Sequence, residues 1–380
     1  MRIVADENIP YVREAFASLG EVATIPGRGL TRAAVADAEL LLVRSVTKVG
    51  PDLLARTRVR FVATATIGTD HVDTDYLRER GIGFASAPGS NANSVAEYVA
   101  AALLVVARRL GWRLAGRSIG VVGVGHVGSL VVEKCRALGL QVLQNDPPRF
   151  EATGDPVFRP LSELFGCDII SLHVPLTPDG PYPTQHLADK TFFRNLRPGA
   201  VFLNTSRGAV HETAALSAAL RESRLSAAVL DVWEGEPNIS AELLEQAALG
   251  TPHIAGYSFD GKVRGTEMIY QAACEFLGVE PAWRPALPPA PLAQVSVEAA
   301  GREDEEVLRE VVLKVYNIEE DDHNLRKLLQ VPSAERPGYF DSLRKNYPVR
   351  REFPNTTVQL LGGADSLRTK LTGLGFRVTP

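Results

Sequence analysis

Cysteine is scarce in this 380-residue chain, with only Cys135, Cys167 and Cys274 present. They stand 32 and 107 positions apart, so neither a C-x-x-C zinc site nor a redox pair has its spacing. Three buried, reduced thiols are expected. Long apolar runs are missing too. The longest, 99–107, falls far short of the ~20 residues that span a bilayer, and the N-terminus lacks a signal-peptide layout. A cytoplasmic protein without a membrane partner is the expectation. Positive charge is not in excess, since 41 Lys and Arg face 45 Asp and Glu for a net charge of -4. That argues against bulk nucleic-acid binding, though not against a local anion pocket. No internal repeat of the ~20–50-residue kind is visible.

What is present is ordinary globular composition, 45% hydrophobic and 23% charged. The length suits two or three domains at roughly 100–200 residues each. Short β-type runs at 3–5, 22–25, 40–43, 61–65 and 82–85 alternate with helical pieces at 11–19 and 76–80. Such alternation predicts βαβ units and a parallel sheet. A longer helix is predicted over 95–109, opened by Ser94. Glu97 near its start and Arg108 and Arg109 at its end suit the helix dipole. Its composition is apolar nearly all round, which predicts burial. A second series of strands follows at 119–122, 142–144, 169–172, 200–204 and 229–232.

Composition shifts at Pro281. Residues 281–291 contain five prolines and read as a stiff linker or extended arm. Beyond them, strands are predicted near Val295 and Val297, at 358–361 and at 376–378, with a helix near 307–315. This reads as a small α+β domain that barely supports its own core. Its acidic runs, 303–306 and 319–322, read as solvated helix ends, with metal binding the lesser alternative.

A G-x-G-x-x-G run made by Gly123, Gly125 and Gly128 follows the strand 119–122 and opens a helix over 129–138. Asp146 stands eighteen residues after Gly128. Strand, loop, helix and acid together form a dinucleotide fingerprint. Gly123 permits the tight turn, Gly125 lets the backbone approach a pyrophosphate, and Gly128 lets helix and strand pack. Backbone N–H groups around 126–129 then favour a phosphate. Asp146 accepts from ribose hydroxyls and repels a 2′-phosphate, so NAD is expected rather than NADP. Arg149, close by, is the feature that would suit NADP.

Three downstream segments each carry reactive residues beside strand-like sequence: 203–210 with Arg207, 230–237 with Asp231 and Glu236, and 251–258 with His253. Residues just past the strand ends of a parallel sheet converge on its ligand crevice. Oxidising a 2-hydroxy acid needs a base for the hydroxyl proton, a cation for the carboxylate and a hydride acceptor. His, Arg and a supporting carboxylate are those residue types. Taken singly, His253 reads as structural, Arg207 as a cap or surface pair and Glu236 as a turn residue. Their order behind a dinucleotide loop favours catalysis.

With the further segment 173–176, these motifs make the chain resemble the D-isomer-specific 2-hydroxyacid dehydrogenases over residues 1 to about 280. The resemblance implies a flavodoxin-like substrate domain (1–93 with 257–280) and a Rossmann NAD domain (94–256). These would be two doubly wound parallel-sheet domains of an α/β fold, followed by the linker 281–291 and an α+β dimerisation domain (292–380). It implies Arg207, Glu236 and His253 as the catalytic set, with His253 as acid/base. It also implies NAD contacts at His126, Val127, Asp146, Val174, Thr205, Ser206, Arg207, Asp231 and Gly256. The members matched by 43–47, 63–73 and the extra C-terminal domain act on a small phosphorylated 2-hydroxy acid as homodimers. Their pattern implies substrate contacts at Ser45, Thr66 and Tyr257. Arg44 is a candidate phosphate ligand, with a salt bridge as its alternative; Ser45 and Thr66 also suit turn capping, and Tyr257 hinge packing. Two departures stand out: Ser90 where Cys is usual, and Val174 where Thr is usual. Other 2-hydroxy-acid substrates, or an NAD-sensing scaffold, are the competing readings.

Overall fold

The computed structural model describes residues 1–379, which form two compact units. The first joins Met1–Asn91 to Ser258–Pro288. Its sheet holds β1 (Arg2–Asp6), β2 (Glu21–Ile25), β3 (Leu40–Val43), β4 (Phe61–Thr64) and β5 (Gly83–Ala85) in the order β2-β1-β3-β4-β5. Every pairing is parallel. The chain reverses direction across the sheet between β1 and β3, so the loop after β3 opens at a topological switch point.

The second unit joins Ala92–Tyr257 to Pro289–Pro380. Its larger sheet holds β6 (Ser118–Val122), β7 (Gln141–Asn145), β8 (Ile169–Leu172), β9 (Ala200–Asn204), β10 (Leu225–Leu230) and β11 (Leu249–Gly250). The order is β11-β10-β9-β8-β6-β7, all parallel. β8 and β9 are buried throughout, because helices cover both faces of such a sheet. β10 begins four residues before the strand predicted from 229 and ends at Leu230. Ser226, Ala227 and Ala228 carry little strand propensity, so packing decides there. The earlier end leaves Asp231 outside the ladder, free to bond with loops.

The C-terminal strands β12 (Gln294–Glu298), β13 (Thr357–Leu361) and β14 (Arg377–Thr379) also pair in parallel. Helices Asp304–Val315, Ile318–Arg326 and Arg336–Lys345 lie between β12 and β13, and Asp365–Leu374 lies between β13 and β14. The segment is thus built from crossovers like the larger sheets, not from segregated α and β parts. It has no core to itself. One apolar cluster runs from Val99, Val131 and Cys135 through Val307, Val311, Leu367 and Leu371. The proline-rich stretch is docked in part. Within the first unit, Ala282 N–H donates to the Tyr270 hydroxyl (3.0 Å) and the Tyr11 hydroxyl donates to the Ala286 carbonyl (3.1 Å).

Helix Ala92–Arg109 is buried along most of its length, as its all-round apolar composition predicts. Glu97, which the sequence places to suit the helix dipole, also ties the helix to the C-terminal segment. It is 1% exposed and accepts from Asn93 Nδ2 and from the Phe353 N–H, both at 2.8 Å. Burial, and next the charge of Glu352, push its carboxyl up to about 8 against the pull of Lys134 and Arg350. The acidic runs do sit at helix starts. Asp322 is nonetheless buried, accepting from the Gly250 N–H (2.8 Å) and from Arg326 Nε. The three cysteines are buried free thiols, and no helix among the described residues is long and apolar enough to cross a membrane.

Because Leu371 is fully buried in the shared cluster, Leu371→Ala should cost about 2–5 kcal/mol. Urea unfolding followed by tryptophan fluorescence should show the midpoint of the whole second unit falling. A separate early transition confined to the C-terminal segment would contradict a common core.

Candidate active site

Register brings the site together. Asn145, Val122, Leu172, Asn204, Leu230 and Gly250 pair across the six-stranded sheet as one transverse row. The loops that follow them therefore leave the same edge at steps of about 4.8 Å. β9 and β11, whose loops carry Arg207 and His253, are two steps apart, within reach of an arginine side chain.

Direct contacts tie these loops to one another. A Cβ on Gly208 would stand 2.0 Å from the Trp233 carbonyl carbon, so only glycine lets the Arg207 loop lie against 231–237. Trp233 Nε1 donates to the Thr251 carbonyl (2.9 Å), and the His253 N–H donates to the Asp231 carbonyl (2.7 Å). His253 Nδ1 and Glu236 Oε1 form a short hydrogen bond. His253 has φ +57°, a left-handed conformation that costs a non-glycine residue about 1–3 kcal/mol and is held by surrounding structure. Burial raises the Glu236 carboxyl, but the charge of His253, its hydrogen bond and the charge of Arg344 outweigh it, and the net shift is downward. An ionised Glu236 accepting at Nδ1 leaves Nε2 to face a reactant. Arg207 is half-buried, with Nη1 donating to the Ser206 carbonyl (2.8 Å).

Glu234 lies two positions before Glu236. In the structure, Glu234 turns away to His186 Nε2 (2.6 Å) and the Thr213 N–H (3.1 Å). Two expected cofactor contacts are also tied into the protein's own loops. Asp231 is 1% exposed, and its carboxylate accepts from Thr251 Oγ1 (2.7 Å), Ile254 N–H (2.7 Å) and Ala255 N–H (3.0 Å). It fastens the His253 loop from beneath. Ser206 is buried, and its hydroxyl donates to Asn204 Oδ1 (2.6 Å), so it braces the turn that presents Arg207. Asn204 and His173 are positioning residues the sequence reading left without a role. His173 bridges Ser171 Oγ (2.8 Å) and Thr205 Oγ1 (3.1 Å).

The nucleotide loop fits a bound dinucleotide. Gly123 has φ +83°, and its Cβ would collide with the His173 carbonyl and with Val174. A Cβ on Gly128 would stand 2.0 Å from the Gly123 carbonyl oxygen, while one on Gly125 would meet nothing within 4 Å. The two wedged glycines set the turn and the third leaves its face open. Helix His126–Ala137 begins there, and its first N–H groups, including those of His126 and Val127, have no partners within the helix. Asp146 accepts from the Val124 N–H (2.8 Å) and caps its own helix through the Arg149 N–H (3.1 Å). Arg149 is committed, with Nη1 on the Val124 carbonyl and its guanidinium 4.9 Å from the Phe158 ring centroid. Gly256 lies half-buried in the turn closed by the Tyr257 N–H on the Ile254 carbonyl (2.8 Å).

In the first unit, Arg44 and Ser45 follow β3 and Thr66 follows β4, at the strand ends paired as Val43 and Thr64. Ser45 is exposed in a turn closed by the Thr47 N–H on the Arg44 carbonyl (3.1 Å). The Thr66 hydroxyl bonds to Thr64 Oγ1 (2.7 Å) and the Gly68 carbonyl (3.2 Å). Ser90 is buried.

Burial lowers His173 to about 3 and His211, bonded to Asn204 Nδ2, to about 4. Their folded values lie below the ordinary ~6.5, so the folded state binds fewer protons. Stability present above pH ~6.5 should be lost as pH falls toward 4, at about 1.4 kcal/mol per pH unit for each histidine. Urea midpoints between pH 7 and 4.5 should fall, and less steeply in His211→Leu.

Comparison with known proteins agrees with this geometry. Residues 94–255 match the family model described as D-isomer specific 2-hydroxyacid dehydrogenase, NAD binding domain, and 286–375 match a domain of unknown function. The chain is 46% identical to an erythronate-4-phosphate dehydrogenase of Cronobacter sakazakii, covering 100% of this chain and 99% of that one. It is 45% identical to the Escherichia fergusonii protein of the same name, over 99% and 98%. Among solved structures, the TT0316 protein of Thermus thermophilus aligns with TM-score 0.65 and 29% identity, covering 74% of this chain and 98% of that one. A D-lactate dehydrogenase of Aquifex aeolicus, complexed with NAD and lactic acid, aligns with TM-score 0.61 and 27% identity over 73% and 96%. With its nucleotide loop and its Arg, Glu and His loops at one sheet edge, the chain belongs to the D-isomer specific 2-hydroxyacid dehydrogenases, and within them it groups with relatives named erythronate-4-phosphate dehydrogenase.

Proposed function

We propose that this NAD-dependent dehydrogenase oxidises 4-phospho-D-erythronate to (R)-3-hydroxy-2-oxo-4-phosphobutanoate, a step toward pyridoxal 5′-phosphate. One observation carries the choice of substrate. Relatives of that name match the chain from end to end, whereas TT0316 and the D-lactate dehydrogenase stop at about three quarters of it. Residues 286–375, beyond the NAD-binding family match, are woven into the second unit.

The chemistry follows from the chain's own groups. Arg207 holds the C1 carboxylate by its planar fork. His253 Nε2 takes the proton from the C2 hydroxyl while Glu236 keeps Nδ1 protonated and supports the imidazolium that forms. The dinucleotide held by 123–128 and Asp146 supplies the acceptor for the C2 hydride. His126, Val127, Val174, Thr205, Ser206, Arg207, Asp231 and Gly256 complete the nucleotide contacts. Ser45, Thr66 and Tyr257, with Arg44, are assigned to the substrate. The protein works in the cytoplasm as a homodimer formed partly through 292–380.

NADH absorbance with phosphoerythronate and NAD tests the reading. Turnover is expected, whereas activity on 3-phosphoglycerate alone would replace the substrate. Arg207→Ala should lower kcat/KM by several orders of magnitude and leave the NAD dissociation constant nearly unchanged. Near-normal turnover in that variant would remove Arg207 from the reaction.

A further inference from the structure

Helix Arg336–Lys345 belongs to the C-terminal segment, and Arg344 lies in its last turn. The Arg344 guanidinium carbon lies 5.9 Å from the Tyr257 ring centroid. Tyr257 closes the loop that presents His253, and its ring meets Tyr347 edge-on at 5.8 Å. The Arg344 side chain is 18% exposed, and its ion pair within the helix, to Asp341, is long at 3.9 Å. Its Nε is buried with no hydrogen-bond partner. The Glu236 carboxylate feels its charge.

A guanidinium carries five donors and stays charged. Buried polar groups almost always find partners, and one left short of acceptors calls for an explanation. The substrate read above has two anionic ends. Arg207 takes the carboxylate, so the phosphate needs donors and positive charge of its own. Arg344 sits on Tyr257, a residue assigned to the substrate, beside the His253–Glu236 pair. Its side chain is hydrogen-bonded to Tyr257, but its ion pair within the helix is long and Nε has no partner.

We propose that Arg344 binds the phosphate of the substrate, so that the C-terminal segment supplies a specificity residue to the reaction site of its own unit. Tyr257 orients the guanidinium through its hydrogen bond and ring contact, and the donors not used there meet the phosphate oxygens. The C-terminal segment is then part of the substrate pocket, which gives a physical reason for its presence in an enzyme with a phosphorylated substrate. The inference rests on the phosphorylated hydroxy acid of the preceding reading.

The test is steady-state kinetics of the full-length protein, Arg344→Met and Arg344→Lys, with 4-phosphoerythronate and D-erythronate as paired substrates. Melting curves and NAD titration establish that the variants fold and bind cofactor. Loss of a charge-assisted contact predicts a rise of about 10- to 100-fold in KM for the phosphorylated acid. The change in kcat should be smaller, and the preference for phosphorylated over unphosphorylated substrate should fall by the same factor. Lysine should recover part of the loss, since it keeps the charge but not the fork. A fall in kcat with KM unchanged would make Arg344 a positioning residue acting through Glu236, and would overturn the proposal. So would unchanged kinetics. Should the wild-type protein ignore phosphoerythronate but oxidise 3-phosphoglycerate, the substrate reading fails, and the same KM comparison on phosphoglycerate judges Arg344 separately.

Discussion

The buried carboxylate of Asp231 is the contact on which the site depends. It stands one residue beyond β10 and gathers Thr251, Ile254 and Ala255 around itself. Burial alone would drive it to the neutral acid. The charge of His253 and three donors oppose that, though burial still prevails and its carboxyl lies above the ordinary range. The geometry it imposes is a loop wrapped about one side chain, with His253 held left-handed and turned toward Glu236. Thr251 extends the grip, because its hydroxyl also meets Tyr98 (2.8 Å) in helix Ala92–Arg109. The base is thereby referenced to the core of its unit and not to solvent-exposed chain.

The C-terminal segment grips the same loop from outside. Asp322 accepts from Gly250, the residue before the loop starts. Arg350 donates to the Ala255 carbonyl (2.8 Å) near the loop's end, and also bonds to Ser94 at the head of helix Ala92–Arg109. Lys134, in the helix that begins at the nucleotide loop, donates to the Leu374 carbonyl (2.7 Å). A segment whose composition suggests an appendage is therefore bonded to the elements that carry the nucleotide loop and the base.

Much of this was legible in residue patterns, for identifiable reasons. The parallel strands of both large sheets are short apolar runs bounded by turn residues, and such runs carry their own signal. The nucleotide loop was readable because each glycine answers a steric demand that local sequence states. The residue types of His253 and Glu236 were readable from the order of their segments, but that Glu236 pairs with His253 while Glu234 turns to His186 is visible only in the structure. The bracing contacts of Asp231 and Ser206 were not legible, because a polar residue at a strand end looks the same whether it serves a ligand or braces a loop. For Asp231 the partners lie twenty or more positions away, at Thr251, Ile254 and Ala255. The clamps made by Glu97, Asp322 and Arg350 left no pattern at all, because their partners are backbone groups and neighbours distant along the chain.

Those clamps differ in kind from the apolar cluster they accompany. Contact between greasy surfaces is non-directional and tolerates sliding by a fraction of a side chain. A backbone N–H aimed at a carboxylate oxygen tolerates much less. With the Phe353 N–H on Glu97 and the Gly250 N–H on Asp322, the C-terminal segment has a single seat on the sheet unit. Any shear of that segment would unpair buried polar atoms before it disturbed the oily contacts. Selection on the quality of this seat therefore acts on hydrogen-bond direction at a few buried carboxylates, while the surrounding aliphatic residues can be exchanged for others of similar bulk.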